Sequence, residues 1–338
     1  MIRLKNTYDN ITEITVKATG DCNANCYHCR DRQLNYTNTD SNNLKPSTAE
    51  AIFSTFASPK LKKITISGGE PTIAKQLPKL IKIAKKYSNN VSLNTNGWNS
   101  SYTFWENLVD LGLNHVNISI DGTDPEMHNW LRNNKSLYQK CMKTLEVFRE
   151  IRAKKNNFDF SIISIISNFN IITLDKLLKV ALEKDAWRWV LHYPEADEEA
   201  LFSPSVKKQE RFRKEVIPKM ESLLKDGIKN QFFVDDALFK LRNIYAPNWK
   251  NPANLAEGQY NAHKDCKTPQ TFLLAKYDGT LLACNGGEYC NEGIVGHVDH
   301  LGNVHIKTEK RRSIIEQSIT YCKFCPVPYT TRVIFRGT

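Results

Sequence analysis

The 338-residue chain carries a net charge of +11 and nine cysteines, enough length for about two domains and too much for a small disulfide-stapled scaffold. Its first residues, Met-Ile-Arg-Leu-Lys-Asn-Thr-Tyr, lack the basic-then-apolar plan of a secretory signal, and no apolar run approaches the ~20 residues of a membrane span. A cytoplasmic protein is expected, and an odd cysteine count in a reducing compartment points to metal or thiol chemistry rather than a disulfide framework.

From the start to about residue 200, short β-branched runs alternate with helix-period stretches, the signature of βα units around a parallel sheet. Six strands are predicted, at residues 12–19, 63–67, 91–95, 115–120, 158–166 and 187–192. Between them, Leu77, Leu80, Ile81 and Ala84 recur at helical spacing, as do Leu174, Leu177, Leu178 and Ala181, so each of these helices should bury one face. Ser47 and Glu50, just after Pro46, have the spacing of a capping box at the first helix. Six units fall short of a closed eight-unit barrel. Residues 1–200 are therefore expected to form an α/β core, a partial (β/α)6 TIM-like barrel with its chemistry at the C-terminal strand ends.

Residues 204–226 read as one long helix that Pro218 should kink or divide, and residues 201–265 as a helical segment and connector. Beyond them, segments 271–277 and 280–284 flank Asp278-Gly279, a tight-turn signal. Residues 266–338 are expected to form a small C-terminal α+β domain.

Cys22, Cys26 and Cys29 form Cys-x3-Cys-x2-Cys directly after the first predicted strand. Three thiolates on one short loop can hold three irons of a 4Fe-4S cluster and leave the fourth open to a cofactor or substrate. A zinc site completed by His28 is the alternative, although that residue adjoins Cys29 and is poorly placed to converge with all three thiols. At the end of the second predicted strand, Ser67-Gly68-Gly69-Glu70-Pro71-Thr72 combines glycines that allow close backbone approach with a carboxylate able to accept from an ammonium. Taken alone, it could be an ordinary strand-to-helix turn. The next two strands end in Asn94-Thr95-Asn96-Gly97 and Ser119-Ile120-Asp121-Gly122, with His128 and Arg132 following.

These motifs resemble the radical S-adenosylmethionine (SAM) superfamily, whose defining loop has this cysteine spacing with an aromatic residue before the last cysteine, matched by His28. The resemblance implies a SAM-binding 4Fe-4S cluster on Cys22, Cys26 and Cys29. It places His28, Gly68, Gly69, Glu70, Asn96, Ser119 and Arg132 at the cofactor. In that scheme the Gly-Gly-Glu-Pro stretch meets the methionine amino group, Asn96 and Ser119 lie near the ribose, and Arg132 pairs with the carboxylate. Asn170 and its helix resemble the segment after the family's fifth strand.

Cys266, Cys284, Cys322 and Cys325 are arranged as Cys-x17-Cys, a long gap, then Cys-x2-Cys. A hairpin would bring the first two together, and the later turn would add two thiolates. By spacing alone this also fits a four-cysteine zinc ribbon. Beside a radical SAM-like core it resembles a twitch domain with one auxiliary 4Fe-4S cluster. The arrangement is nearest that of 2-deoxy-scyllo-inosamine dehydrogenase and less complete than a SPASM domain. Four thiolates would leave that cluster fully ligated, which favours electron transfer over substrate coordination. Cys141 reads as core. Cys290 is a candidate hydrogen donor, an alternative ligand in place of Cys284, or a structural residue.

The resemblance implies reductive cleavage of SAM to a 5′-deoxyadenosyl radical and hydrogen abstraction from a peptide or small-molecule substrate, ending in oxidation or cross-linking. Electrons would come from a flavodoxin- or ferredoxin-like donor. Glu195 is a candidate base, with His192, Tyr193 and Asp197 beside it. Epimerisation with Cys290 returning the hydrogen is an alternative within the same chemistry. A zinc-bearing nucleic-acid-binding protein is the alternative from another class, motivated by the charge and the four-cysteine spacing, though no basic motif supports it. No membrane partner is expected.

Overall fold

The computed structural model describes residues 8, 10–29, 42–192, 202, 204–227, 268–285, 291–317 and 331–334. The six β-branched runs become β1 (Glu13–Lys17), β2 (Lys63–Ser67), β3 (Val91–Thr95), β4 (His115–Ser119), β5 (Asp159–Ile165) and β6 (Arg188–His192). All six are parallel and hydrogen-bonded in chain order. Between them lie α1 (Pro46–Phe56), α2 (Leu77–Tyr87), α3 (Tyr102–Asp110), α4 (Pro125–Leu131), α5 (Leu137–Lys154) and α6 (Leu174–Glu183). The α/β partial barrel expected from the alternation is the fold observed.

Strand alternation divides the barrel into two faces. Ile14, Val16, Ile64, Ile66, Leu93, Val116 and Ile118 join the helix stripes Leu77, Leu80, Ile81, Ala84 and Leu174, Leu177, Leu178, Ala181 in one buried core. Each large aliphatic side chain placed there stabilises the fold by roughly 1.5–3 kcal/mol relative to exposure. On the other face, one tier crosses all six strands as Lys17, Ser67, Asn94, Asn117, Ser161 and Arg188.

Two local expectations are corrected. α1 has Lys45 as its N-cap and no side-chain capping bond, with Pro46 at its first position. Glu50 instead accepts the Tyr87 hydroxyl of α2 at 2.6 Å, so Ser47 and Glu50 form no capping box. The long helix expected from 204 runs as α7 (Val206–Arg211), a π-helical turn Phe212–Val216, and α8 (Ile217–Gly227). Ile217 N–H reaches Phe212 O, five residues back. Pro218 has no N–H to continue an α-helical ladder, and the widened turn before it absorbs that loss without ending the helix.

After α9 (Thr268–Thr271), β7 (Phe272–Ala275) and β8 (Thr280–Leu282) form the expected hairpin. Its turn is closed by Gly279 N–H to Lys276 O at 3.0 Å and by Thr280 N–H to Asp278 Oδ1 at 2.9 Å. β9 (Ile294–Val298), β10 (Val304–Ile306), α10 (Thr308–Gln317) and β11 (Thr331–Ile334) follow. β7 pairs in parallel with β1, and β11 pairs antiparallel with β6. The described strands thus make one sheet ordered β10-β9-β8-β7-β1-β2-β3-β4-β5-β6-β11, in which later strands border both edges of the barrel. Among the described residues, no helix is long and apolar enough to cross a membrane.

Candidate functional site

The cysteine loop leaves the C-terminal end of β1 and is held on two sides. On one side, hydrogen bonding between β1 and β2 continues past the strand ends. Ala18 N–H donates to Ser67 O at 2.7 Å, Gly69 N–H to Thr19 O at 2.8 Å, and Glu70 N–H to Asp21 O at 2.8 Å. A Cβ on Gly69 would sit 2.1 Å from Asp21 O, and one on Gly68, whose φ is +140°, would sit 2.4 Å from Thr19 O. The close approach these glycines permit is therefore made by the cysteine-loop backbone. On the other side, Tyr27 N–H donates to Leu131 O at 3.2 Å, Asn25 N–H to Arg132 O at 3.3 Å, and Asn134 Nδ2 to Asn23 O at 2.9 Å. The loop is clamped between the turn after β2 and the end of α4.

Within it, Cys22 is exposed, Cys29 half-buried and Cys26 buried. Burial pushes the Cys26 thiol above its ordinary range, opposed by the Arg132 guanidinium beside it, whose Nη1 lies 3.8 Å from Sγ. Among the described residues, no three His, Cys, Asp or Glu side chains are already drawn together around a single metal ion. His28 is buried with Nε2 3.7 Å from Asp121 Oδ2, and burial lowers its pKa to about 4, so the ring is neutral at pH 7. Its Nδ1 is buried with no hydrogen-bond partner, as is Nδ2 of Asn23. Unpaired buried polar atoms are costly. Two of them on the loop bearing the three thiols, together with a soft-donor set suited to iron-sulfur ligation, fit an iron-sulfur group with a cofactor beside it.

Glu70 is fully buried. Its Oε1 accepts from Thr72 N–H at 3.1 Å, Thr72 Oγ1 at 2.6 Å and Thr95 Oγ1 at 2.7 Å, while Oε2 accepts Asn96 N–H at 2.6 Å. Burial raises its pKa, against the pull of these donors. The carboxylate expected to meet an ammonium is largely engaged in joining the turn after β2 to the turn after β3. Asn96 in turn donates from Nδ2 to Asn23 Oδ1 at 2.7 Å and lies 4.0 Å from Cys22 Sγ. Ser119 ends β4, half-buried, with its carbonyl 3.9 Å from the Cys141 thiol. Cys141 is fully buried, in keeping with its reading as core.

Arg132 is positioned by Asp121. Its Nε donates to Asp121 Oδ2 at 2.6 Å, both groups lying in the interior. Burial would raise the Asp121 carboxyl, but Arg132, His28 and His128 hold it below the ordinary range. Asp121 Oδ1 also accepts Ile165 N–H at 2.8 Å, and Asn170 Nδ2 donates to Asp121 O at 2.9 Å and Ile165 O at 2.6 Å. His128 accepts Asp121 N–H at Nδ1, 3.2 Å away. Arg132 thus meets the buried Asp121 carboxylate while His128 and Asn170 bond the Asp121 main chain, and sequence reasoning left this aspartate out of the site. The available signal was an aspartate at a strand end with an arginine eleven residues on.

Residues 16–181 match the model of the radical SAM superfamily. This segment is a radical SAM domain. The chain is 35% identical over 122 residues to a probable GTP 3′,8-cyclase from Pyrococcus abyssi, a match spanning 36% of this chain and only 38% of that relative. Its fold resembles native anSMEcpe with bound AdoMet, with TM-score 0.65 at 18% identity, covering 93% of this chain and 88% of the other. It also resembles Streptococcus suis SuiB bound to the precursor peptide SuiA, with TM-score 0.59 at 13% identity, covering 94% of this chain and 71% of the other.

The radical SAM domain brings Cys22, Cys26, Cys29, His28, Gly68, Gly69, Glu70, Asn96, Ser119 and Arg132 to the C-terminal ends of β1 to β4. Of the second cysteine set, Cys284 lies half-buried just after β8. Cys266, Cys322 and Cys325 lie outside the described residues, as do Cys290 and Glu195.

Proposed function

We propose that the chain is a radical SAM enzyme that oxidises or cross-links a peptide or small-molecule substrate at an unactivated C–H bond. The observation that carries this reading is the clamped loop. Three thiols, two orphaned polar atoms and the Gly68-Gly69-Glu70 turn are joined by main-chain bonds beyond the ends of β1 and β2. Cys22, Cys26 and Cys29 would hold a 4Fe-4S cluster, with SAM on its open iron. When bound, this pair supplies reductive cleavage of the sulfonium to methionine and a 5′-deoxyadenosyl radical that takes a substrate hydrogen. Asn96 and Ser119 would flank the cofactor. Gly68 and Gly69 shape the turn through which Glu70 fixes Asn96, and His28 Nδ1 offers an unused polar atom.

Arg132 acts as a positioning residue, because its guanidinium is already paired with Asp121 and lies against Cys26. Cys266, Cys284, Cys322 and Cys325 would hold an auxiliary 4Fe-4S cluster able to take up the electron a substrate radical loses along with its proton, and a flavodoxin- or ferredoxin-like protein would supply the separate electron needed to cleave SAM. The solved relative bound to a precursor peptide supports a peptide among the substrate classes. The radical SAM domain favours this chemistry over a zinc-bearing nucleic-acid-binding protein.

Anaerobic reconstitution with iron and sulfide tests the reading. About eight irons per chain, about four after Cys22, Cys26 and Cys29 are changed to Ala, and 5′-deoxyadenosine on adding SAM and reductant are expected. Fewer than about three irons and no 5′-deoxyadenosine would refute it.

A further inference from the structure

Closed eight-stranded barrels fill their interiors with branched apolar residues in tiers. Here the tier directly below the candidate cofactor residues is polar on every strand, running Lys17, Ser67, Asn94, Asn117, Ser161 and Arg188. Asn94 and Asn117 precede Asn96 and Ser119 by two positions, so they face the same side one step, roughly 6–7 Å, deeper. Asn94 Nδ2 donates to Ser67 Oγ at 3.5 Å, and Asn117 Nδ2 donates to Asn94 Oδ1 at 2.8 Å. This amide relay ends on Asn117 Oδ1, which is buried and meets no donor at hydrogen-bond geometry, the His115 ring two residues back on the same face being the side chain that interacts with Asn117. The residue is 5% exposed, and its neighbours Val116 and Ile118 face the helix-side core.

We infer that this tier is the floor of the substrate site and that Asn117 Oδ1 accepts an N–H or O–H of the substrate beside the reacting carbon. The inference rests on the radical SAM reading and deepens it. A buried carbonyl oxygen left without a donor costs free energy that a ligand donor would recover. The relay presents an amide oxygen, which only accepts, so the group it receives is an N–H or O–H donor such as a peptide amide or a hydroxyl. The relay can also reverse, because the Ser67 hydroxyl can donate as well as accept. An aspartate at 117 would thus still find a donor in Asn94 Nδ2.

The test uses the full chain reconstituted with iron, sulfide and SAM, and two neutral probes. Carbon-perdeuterated N-methylacetamide carries one N–H; perdeuterated N,N-dimethylacetamide carries none. In soaked crystals the first should place its nitrogen about 2.9 Å from Asn117 Oδ1 and the second should not. With reductant, deuterium should enter 5′-deoxyadenosine from the first probe about tenfold more than from the second. Asn117→Ala should lower that transfer about tenfold per 5′-deoxyadenosine formed, and Asn117→Asp should retain it. Equal transfer from both probes, undiminished transfer in Asn117→Ala, or crystals showing Oδ1 bonded to a protein group or to a water that both probes leave in place would overturn the inference. A preparation forming no 5′-deoxyadenosine would refute the radical SAM reading, while the soaked crystals would still decide the Asn117 contact.

Discussion

Asn96 donates its backbone N–H to Oε2 of Glu70 at 2.6 Å, tying the turn after β2 to the turn after β3. Because Oε1 takes three more donors, the carboxylate organises the site before any ligand arrives. Glu70→Gln should therefore destabilise the metal-free protein by about 2 kcal/mol. An amide has one acceptor oxygen, so either Asn96 N–H or Thr72 N–H, neither of which can accept instead, would face an NH2 group. Urea denaturation of the metal-free variant checks this, and an unchanged midpoint would confine Glu70 to ligand contact.

The buried Asp121–Arg132 pair supports the side of the loop that carries Cys26. Asp121→Asn should cost about 3–5 kcal/mol, because it leaves an uncompensated guanidinium in the interior. Arg132→Gln should cost a similar amount, and the double variant less than the sum of the two. Additive losses in the cycle would show that the two residues act separately. Iron uptake should fall in both single variants, since each loosens the wall against Cys26.

Gly69→Ala should be far more damaging than an ordinary glycine replacement. Its Cβ would meet Asp21 O at 2.1 Å and Asp21 C at 2.5 Å, both backbone atoms that cannot swing aside. A loss of about 3 kcal/mol or more is expected, with impaired cluster assembly because the cysteine loop must shift. Gly302→Ala is the control. Its φ of +88° has nothing within 4 Å of the added carbon, so only backbone strain of about 1 kcal/mol applies. Similar losses in the two variants would count against the close approach as the reason for Gly69.

The strands of the barrel were legible because burial on the helix side imposes a local pattern, seen in Ile64 and Ile66 or Val116 and Ile118. The cysteine loop was legible because its three ligand candidates are close in sequence. What lies between elements was not. Glu70 finds Thr95 and Asn96 only because β2 and β3 are neighbours, and Arg132 finds Asp121 only because α4 folds back over the end of β4. The same holds for the polar tier, since Ser67, Asn94 and Asn117 are unremarkable singly and form a relay only through strand register. The Ser47–Glu50 spacing misled because Pro46 starts α1 without a cap and Tyr87 captures the carboxylate.

Stability should decline with acid through His115. Its Nε2 lies 2.7 Å from Ser161 Oγ, which also accepts from Arg188 Nε at 3.1 Å. With Arg188 donating to the oxygen, the hydroxyl proton is available to a neutral His115 Nε2. Burial, followed by the nearby charges of Arg188 and Lys63, lowers the His115 pKa from 6.5 to about 3. The unfolded chain protonates this histidine near pH 6.5 while the folded one does not. The stabilisation is therefore fully present above that value and is lost progressively as pH falls toward about 3. His115→Gln should flatten the part of the stability decline between pH 6.5 and pH 5 that this ring contributes. Urea midpoints of the metal-free proteins at pH 7, 6 and 5 would check it, and parallel declines in the two proteins would show that His115 titrates normally.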